Sequence, residues 1–283
     1  MSQHQPWVDS HCHLDAPEFE RNLSQVIDAA ARNGVKAILL PTVRASDCNH
    51  VRALVSQYAE KIPGLVYTLG IHPLFINQAQ ESDITILQEQ VERSLSDSRF
   101  VGIGEIGLDY FVEGLDPRRQ EWFFHAQLDL AVEYKLPVIL HVRRSQDAIL
   151  KALRCRKIPS GIAHAFNGSS QQAKQFIELG FKLGFGGAAT FERALQIRRL
   201  LQELPLDGIV TETDAPDIPP AWLREEGIAF NEPAFLPRIA SVLAEVRGIS
   251  SDEFASAVWR NTMQVLPRWS VLLTNNPNLN LAP

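Results

Sequence analysis

Eight short apolar stretches rich in β-branched residues recur along this chain, spaced by longer segments of helical periodicity. They run over Trp7–Asp9, Val35–Leu40, Leu65–Leu69, Phe100–Glu105, Pro137–His141, Gly161–His164, Phe181–Phe185 and Ile209–Glu212. Strands apolar on both faces must be covered on both, as in a parallel sheet wrapped by crossover helices. Amphipathic segments such as Glu18–Asn33, Ile84–Ser96, Pro117–Tyr134, Gln171–Leu179 and Arg193–Leu204 supply that cover. Asn33-Gly34 and Leu179-Gly180 punctuate the passage from helix to strand. Repeated eight times, the alternation predicts an α/β chain folded as a (β/α)8 TIM-type barrel rather than an open two-domain sheet. With no internal linker or low-complexity run, residues 1–283 read as one barrel domain. Its core spans about 7–268, and an Asn- and Pro-rich tail, Thr274–Pro283, lies outside it.

A barrel of this kind carries its chemistry at the carboxyl ends of its strands. The first strand runs into Asp9-Ser10-His11-Cys12-His13-Leu14-Asp15. Residues two apart on an extended chain share a face, so His11 and His13 can grip one metal while Cys12 turns away as a packed thiol. Glu105, His141 and His164 close three further strands, and Asp214 follows the last. A single strand-end histidine is usually a packing residue. Four histidines and two carboxylates on one rim are not, because buried carboxylates need cations to neutralise them.

Imidazole with carboxylate suits Zn²⁺, Mn²⁺, Fe²⁺ or Co²⁺ better than Ca²⁺. Residue type alone does not choose between Zn, Mn, Mg, Fe and Co. Six ligands exceed what one catalytic zinc needs, which predicts two divalent cations roughly 3.5–4 Å apart. Glu105 is the natural bridge, offering one oxygen to each. Such a pair lowers the pKa of a shared water, and Asp214 both binds metal and accepts that water's proton.

Other residues have two readings each. His72 can reach a phosphate oxygen or simply be ordered by Pro73 at a turn. Arg143 and Arg144 can clamp a phosphate or make surface ion pairs. Asn167, Gly168 and Ser169 can cradle a phosphate or merely cap a helix. Asp109 and Tyr110 shape the pocket wall, Trp122, Phe123 and Phe124 pack helix to barrel, and His4, His50 and His125 are bystanders. Gly102-Ile103-Gly104-Glu105-Ile106-Gly107 matches GxGxxG after a strand. A dinucleotide turn would open a helix at once. Here Leu108-Asp109-Tyr110-Phe111 stays extended, no helix starts before Asp116-Pro117, and Glu105 would repel phosphates.

The net charge of −6 excludes a protein that coats duplex nucleic acid by bulk electrostatics. It does not exclude a nuclease, since cations in a pocket supply positive potential locally. It favours a short or single-stranded end over a long duplex. Three cysteines without a CxxC pair point to a reducing cytoplasm. No apolar run reaches the roughly 18 residues of a membrane helix, and no secretory signal opens the chain. A monomer is the default expectation.

In combination these motifs resemble the TatD-type metal-dependent deoxyribonucleases, in particular their bacterial TatD-like hydrolases. The likeness is carried by Asp9-Ser10-His11-Cys12-His13-Leu14-Asp15, Gly70-Ile71-His72-Pro73, Gly104-Glu105-Ile106-Gly107-Leu108-Asp109-Tyr110 and Glu212-Thr213-Asp214-Ala215-Pro216. Gln127-Leu128-Asp129-Leu130-Ala131, Leu136-Pro137-Val138 and Asn231-Glu232-Pro233 fit as well. The resemblance spans Trp7 to about Leu266. It implies a barrel of the metallo-dependent hydrolase superfamily acting on nucleic-acid phosphodiesters, often from a 3′ end. It also implies metal positions at His11, His13, Glu105, His141, His164 and Asp214, the six reached above from strand ends. Two departures touch the substrate rim: His164-Ala165-Phe166-Asn167-Gly168 where the family often has His-Cys-Phe-Ser-Gly, and Asp217-Ile218 where many relatives carry an aromatic-aliphatic pair.

The function expected is therefore exonuclease-like DNA hydrolysis, on single strands or 3′ ends, by a metal-activated hydroxide. An amidohydrolase-like barrel cleaving a small ester, lactone or amide is the alternative, since an activated water attacks many electrophiles. No bridging lysine of the kind common in amide-cleaving barrels is evident, which tilts the reading to the nuclease. A metal-binding barrel without turnover is the third possibility.

Overall fold

Every one of the eight apolar stretches forms a strand in the computed structural model, which describes residues 5–275. The strands are β1 (Trp7–Asp9), β2 (Val35–Pro41), β3 (Gly64–Leu69), β4 (Phe100–Asp109), β5 (Val138–Arg143), β6 (Gly161–Ala163), β7 (Phe181–Phe185) and β8 (Ile209–Thr211). They pair in parallel in sequence order, β1 through β8. The seam between β8 and β1 is stitched by the Ser10 N–H and hydroxyl, which donate to the Thr211 carbonyl at 3.0 and 2.9 Å. The Thr211 hydroxyl donates back to the Val8 carbonyl at 3.1 Å. The result is a nearly closed (β/α)8 TIM-type barrel.

Among the described residues ten α-helices follow or bridge the strands: α1 (Leu23–Arg32), α2 (Cys48–Tyr58), α3 (Ser82–Ser94), α4 (Pro117–Glu133), α5 (Gln146–Arg154), α6 (Ser170–Glu178), α7 (Leu195–Glu203), α8 (Leu236–Arg247), α9 (Ser251–Val265) and α10 (Pro267–Thr274). The expected helix from Glu18 is instead a 3-10 turn at Pro17–Phe19 before α1. The glycines after α1 and α6, Gly34 and Gly180, take φ of +83° and +85°, the left-handed exit foreseen for them. Thr274 closes α10 rather than opening a tail; His4 and residues 276–283 lie outside the described residues.

Alternate residues on the strands divide the interior. Val8, Leu39, Val66, Val101, Ile139, Ile162 and Val210 form a buried cluster with Val265, Leu266, Trp269 and Leu273 of the α9–α10 region. The last two helices thus plug the amino-terminal end of the barrel. Trp269 donates its indole N–H to the Gly64 carbonyl at the start of β3, 2.9 Å away. Asn261 donates to the Leu206 and Ile209 carbonyls at the start of β8. Two residues further along the same faces stand His141 above Ile139, His164 above Ile162 and Glu212 above Val210. One end is apolar and plugged; the other is lined by titratable groups.

Strand β4 runs four residues past Glu105, with an irregular register between Ile103 and Ile106. Beyond the irregularity Gly107 pairs with His141 and Asp109 with Arg143. A Cβ on Gly107 would lie 2.0 Å from the His141 carbonyl oxygen. The glycine-rich run therefore serves a close strand–strand approach, and the helix after it starts only at Pro117, capped by the Asp116 carboxylate on the Arg118 N–H. Among the described residues no helix is long and apolar enough to cross a membrane.

Candidate metal centre

The backbone beyond β1 and β8 brings the first ligand candidates together. The Asp214 N–H donates to the His11 carbonyl at 2.9 Å, and the His13 N–H to the Ala215 carbonyl at 2.8 Å. Asp9 secures this seam from below, its carboxylate accepting the Thr213 N–H at 2.9 Å and hydroxyl at 2.6 Å. Burial pushes the Asp9 carboxyl up to about 7.

Five imidazole nitrogens converge on the buried Glu105 carboxylate. Oε2 lies 3.0 Å from His11 Nε2 and 3.5 Å from His13 Nε2. Oε1 lies 2.9 Å from His164 Nε2, 3.1 Å from His141 Nδ1 and 3.2 Å from His72 Nε2. Asp214 Oδ1 stands 3.5 and 3.7 Å from His11 Nε2 and His13 Nε2. All six residues singled out at strand ends meet here, and so does His72.

The cluster is electrically frustrated without a cation. Burial would push Glu105 up, but His72, His11 and His164 together hold it well below the ordinary carboxylate range. Burial lifts Asp214 to about 6. It drives His11 well below its usual value and His72 to about 4. Burial opposes charge on His13 too, yet Glu105 and Asp214 outweigh it and raise that ring to about 9. Neighbouring imidazoles are thus pulled in opposite directions.

A divalent cation fits this donor set. The Nε2 atoms of His11 and His13 are 3.1 Å apart. Two lone pairs face each other at that distance only across a proton or a metal. Nitrogens bound tetrahedrally at 2.0–2.1 Å would be roughly 3.4 Å apart. Three groupings have ligand atoms within 4.8 Å of one another: His11, His13 and Glu105; His11, His164 and Asp214; and His72, Glu105 and His141. Among the described residues, buried His11 Nδ1, His164 Nδ1 and Glu212 Oε2 have no hydrogen-bond partner.

Ring tautomers separate the histidines. His141 Nε2 lies 2.9 Å from Asp109 Oδ2, so that nitrogen carries the proton and Nδ1 keeps its lone pair for a metal. His72 is the reverse. Its Nδ1 accepts the Leu74 N–H at 3.1 Å, leaving the proton on Nε2, which donates to Glu105 Oε1. In neutral form His72 orients the carboxylate instead of binding a metal through that nitrogen.

Two carboxylates have larger roles than sequence reasoning assigned. Asp109 holds His141. Glu212 lies beneath His164, with Oε1 accepting the Ala165 N–H and standing 3.7 Å from His164 Nδ1. A Cβ on Gly184 would sit 2.1 Å from Glu212 Oε2, so β7 leaves room for this side chain. The signals were available: Glu212 stands two residues before Asp214, and Asp109 lies on the glycine-rich strand of Glu105.

The remaining candidates stand further out. Arg143 and Arg144 are exposed at the end of β5. Asn167 is exposed, its carbonyl accepting from the Gln146 amide at 2.8 Å. Ser169 caps α6 in a capping box: its hydroxyl accepts the Gln172 N–H, and its own N–H donates to Gln172 Oε1. That arrangement is complete without a ligand. Cys12 is buried against the Ala215 carbonyl, facing away from the cluster as its alternation requires.

Comparison with known proteins agrees with this geometry. Residues 8–267 match the family model described as TatD related DNase. The metal-dependent hydrolase YjjV of Escherichia coli K12 is 37% identical over 257 residues, covering 90% of this chain and 96% of that protein. Its crystal structure superposes with a TM-score of 0.83, covering 92% of this chain and 98% of that one. A protein of Yersinia pseudotuberculosis named 3'-5' ssDNA/RNA exonuclease TatD is 32% identical over 264 residues, covering 89% of this chain and 98% of its own. A barrel with this rim, matched along nearly its whole length, belongs to the TatD-related DNase family of metal-dependent hydrolases.

Proposed function

We propose that this hydrolase is an exonuclease-like deoxyribonuclease that cleaves phosphodiesters at single-stranded or 3′ ends with two divalent cations. The observation that carries the reading is the division of Glu105: Oε2 faces His11 and His13, while Oε1 faces His141 and His164. His11, His13, Asp214 and Glu105 would hold one cation, and Glu105, His141 and His164 the other. When bound, such a pair supplies Lewis acidity and a water of lowered pKa. The exonuclease name of the Yersinia relative supports nucleic acid as the substrate class.

The chain's own groups prepare the reaction. Asp214, lifted to about 6 by burial, is suited to take a proton from an attacking water near neutral pH and release it afterwards. Its backbone at φ +56° turns the carboxylate out of β8 and toward the histidines. His72 steadies Glu105 through its Nε2–H. Asp109 aims His141, and Glu212 holds the backbone beside His164 through the Ala165 N–H. Arg143 and Asn167 on the rim can meet phosphate oxygens. The free thiols of Cys12, Cys48 and Cys155 suit the cytoplasm, where we place the protein.

The test is hydrolysis of a labelled single-stranded DNA oligomer by metal-stripped protein refilled with Mg²⁺, Mn²⁺ or Zn²⁺. His11→Ala and Asp214→Asn serve as controls. Metal-dependent shortening from one end, lost in both variants, is the expected result. No cleavage with any metal, while cations still bind, would overturn the nuclease and shift the substrate to a small ester, lactone or amide.

A further inference from the structure

The rim above β4 and β5 carries an arrangement that the metal cluster does not use. Asp109 faces His141 with one oxygen and spends the other on the backbone N–H groups of Phe111, at 2.8 Å, and Val112, at 3.0 Å. One carboxylate therefore fixes both a cluster histidine and the loop that presents Phe111. The Tyr110 N–H, donating to the Arg143 carbonyl at 2.9 Å, ties that loop to the end of β5.

Phe111 is held this firmly yet is 45% exposed. Its companions are cations. Arg143 Cζ lies 4.0 Å from the ring centroid and Arg144 Cζ 4.5 Å. Arg144 reaches this position from a left-handed backbone, φ +55°, which a branched or bulky residue adopts only at a cost. Among the described residues neither guanidinium has a carboxylate within 4.0 Å. The same pairing recurs beside it, with Arg44 Cζ 4.6 Å from the Phe75 ring on the loops after β2 and β3. In a chain of net charge −6, unneutralised guanidiniums gathered on one ring beside the cluster need an explanation.

Stacking on an aromatic face occupies the plane of a guanidinium and leaves its N–H edges free. Those edges match the oxygens of a phosphodiester in bidentate fashion. Two such forks, braced on a ring whose backbone is pinned by a cluster-orienting carboxylate, keep a constant distance from the metal centre. We propose that Arg143 and Arg144, braced on Phe111, form a phosphate clamp for a single nucleic-acid strand, gripping phosphates away from the bond being cut. The clamp rests on the phosphodiesterase reading and adds the residues that hold the strand.

Salt dependence of binding tests it. The metal-loaded protein is titrated into a fluorescent oligo-dT strand whose linkages are phosphorothioates, which resist hydrolysis, at several salt concentrations. Each neutralised phosphate of a single strand contributes about 0.7 to the slope of log K against log salt. Arg143→Gln/Arg144→Gln should therefore lower the slope by about 1.4. Arg143→Lys/Arg144→Lys should keep the slope and lose affinity, since ammonium retains charge without the planar fork; it also answers for any folding defect in the glutamine pair. Phe111→Leu should weaken binding while moving the slope much less. If wild type binds and the glutamine pair keeps its slope, the clamp is overturned and the nuclease reading stands. If wild type does not bind the strand at all, both fall together.

Discussion

Replacing Asp109 by asparagine changes one atom of a buried carboxylate, yet it should cost the protein much of one metal site. The side chain of Asp109 has two jobs. Oδ1 accepts the Phe111 and Val112 N–H groups, and Oδ2 lies 2.9 Å from His141 Nε2. Only the amide oxygen of asparagine can continue the first job, so its NH2 is forced toward His141. Two donors cannot face each other. The imidazole must then move its proton from Nε2 to Nδ1, the nitrogen 3.1 Å from Glu105 Oε1, and the lone pair meant for the cation is lost.

The magnitude follows from the bond exchanged. A hydrogen bond to a charged group contributes about 1.5–3 kcal/mol, and losing the outer partner of a ligating histidine typically costs about 10–100-fold in metal affinity. The two figures agree, since about 1.4 kcal/mol is tenfold. Titration of stripped protein with Zn²⁺ or Mn²⁺ against a competing chelator should therefore show one binding event weakened by 10–100-fold and the other nearly intact. Asp109→Ala, which also frees the Phe111 loop, should lose at least as much. Wild-type affinity at both sites in Asp109→Asn would refute the tautomer assignment and remove His141 from the ligand set.

Three further outcomes are expected. The metal-free protein should lose thermal stability as pH rises. His13 is lifted from 6.5 to about 9 when folded, so its contribution is complete below pH 6.5 and disappears as pH passes 9. Differential scanning calorimetry of stripped protein should show a falling Tm across that window, and metal-loaded protein a flatter one; identical profiles would contradict the proton–metal exchange. Gly184→Ala places a Cβ against Glu212 in a site with no spare room and should cost about 1–3 kcal/mol, read by urea unfolding; an unchanged midpoint would show that Glu212 is free to move. Trp269→Ala should destabilise by about 3–5 kcal/mol through the emptied barrel plug while leaving metal stoichiometry unchanged, and coupled loss of metal would show that the two ends are not independent.

The strand order and the six strand-end residues were legible because both depend on short-range pattern. Apolar runs of fixed length mark the strands, and a polar residue at the end of such a run marks the rim, as His141 does after Val138-Ile139-Leu140. What was not legible depends on contacts across the barrel. Glu212 looked like the close of a strand until Ala165 and His164 were seen above it. Asp109 looked like a wall residue because its partner His141 is 32 positions away. His72 had two readings in sequence, and neither included its bonds to the Leu74 N–H and to Glu105, which need the folded turn. The 3-10 turn at Pro17–Phe19 escaped periodicity because Glu18 and Phe19 fit a helical pattern as well as a turn. The α9–α10 plug escaped because nothing local tells a helix under a barrel from one around it.

The two ends of this barrel are built on opposite principles, and that difference links metal binding to stability. At the plugged end apolar side chains close the interior and the polar groups of Trp269 and Asn261 are satisfied. At the open end Arg144, Ala165 and Asp214, each just past a strand, take left-handed backbone angles between +45° and +56°, at roughly 1–2 kcal/mol apiece. Among the described residues, buried His11 Nδ1, His164 Nδ1 and Glu212 Oε2 lack partners at the same end, and such groups cost about 1–3 kcal/mol each. A chain keeps that much unfavourable geometry in one place only when the rest over-determines it or a ligand relieves it. Cations bound to the folded form alone would offset it by mass action, about 2.7 kcal/mol for each site held at a hundredfold excess over its dissociation constant. The histidine–carboxylate rim is thus the end of the barrel whose stability a bound cation would raise most.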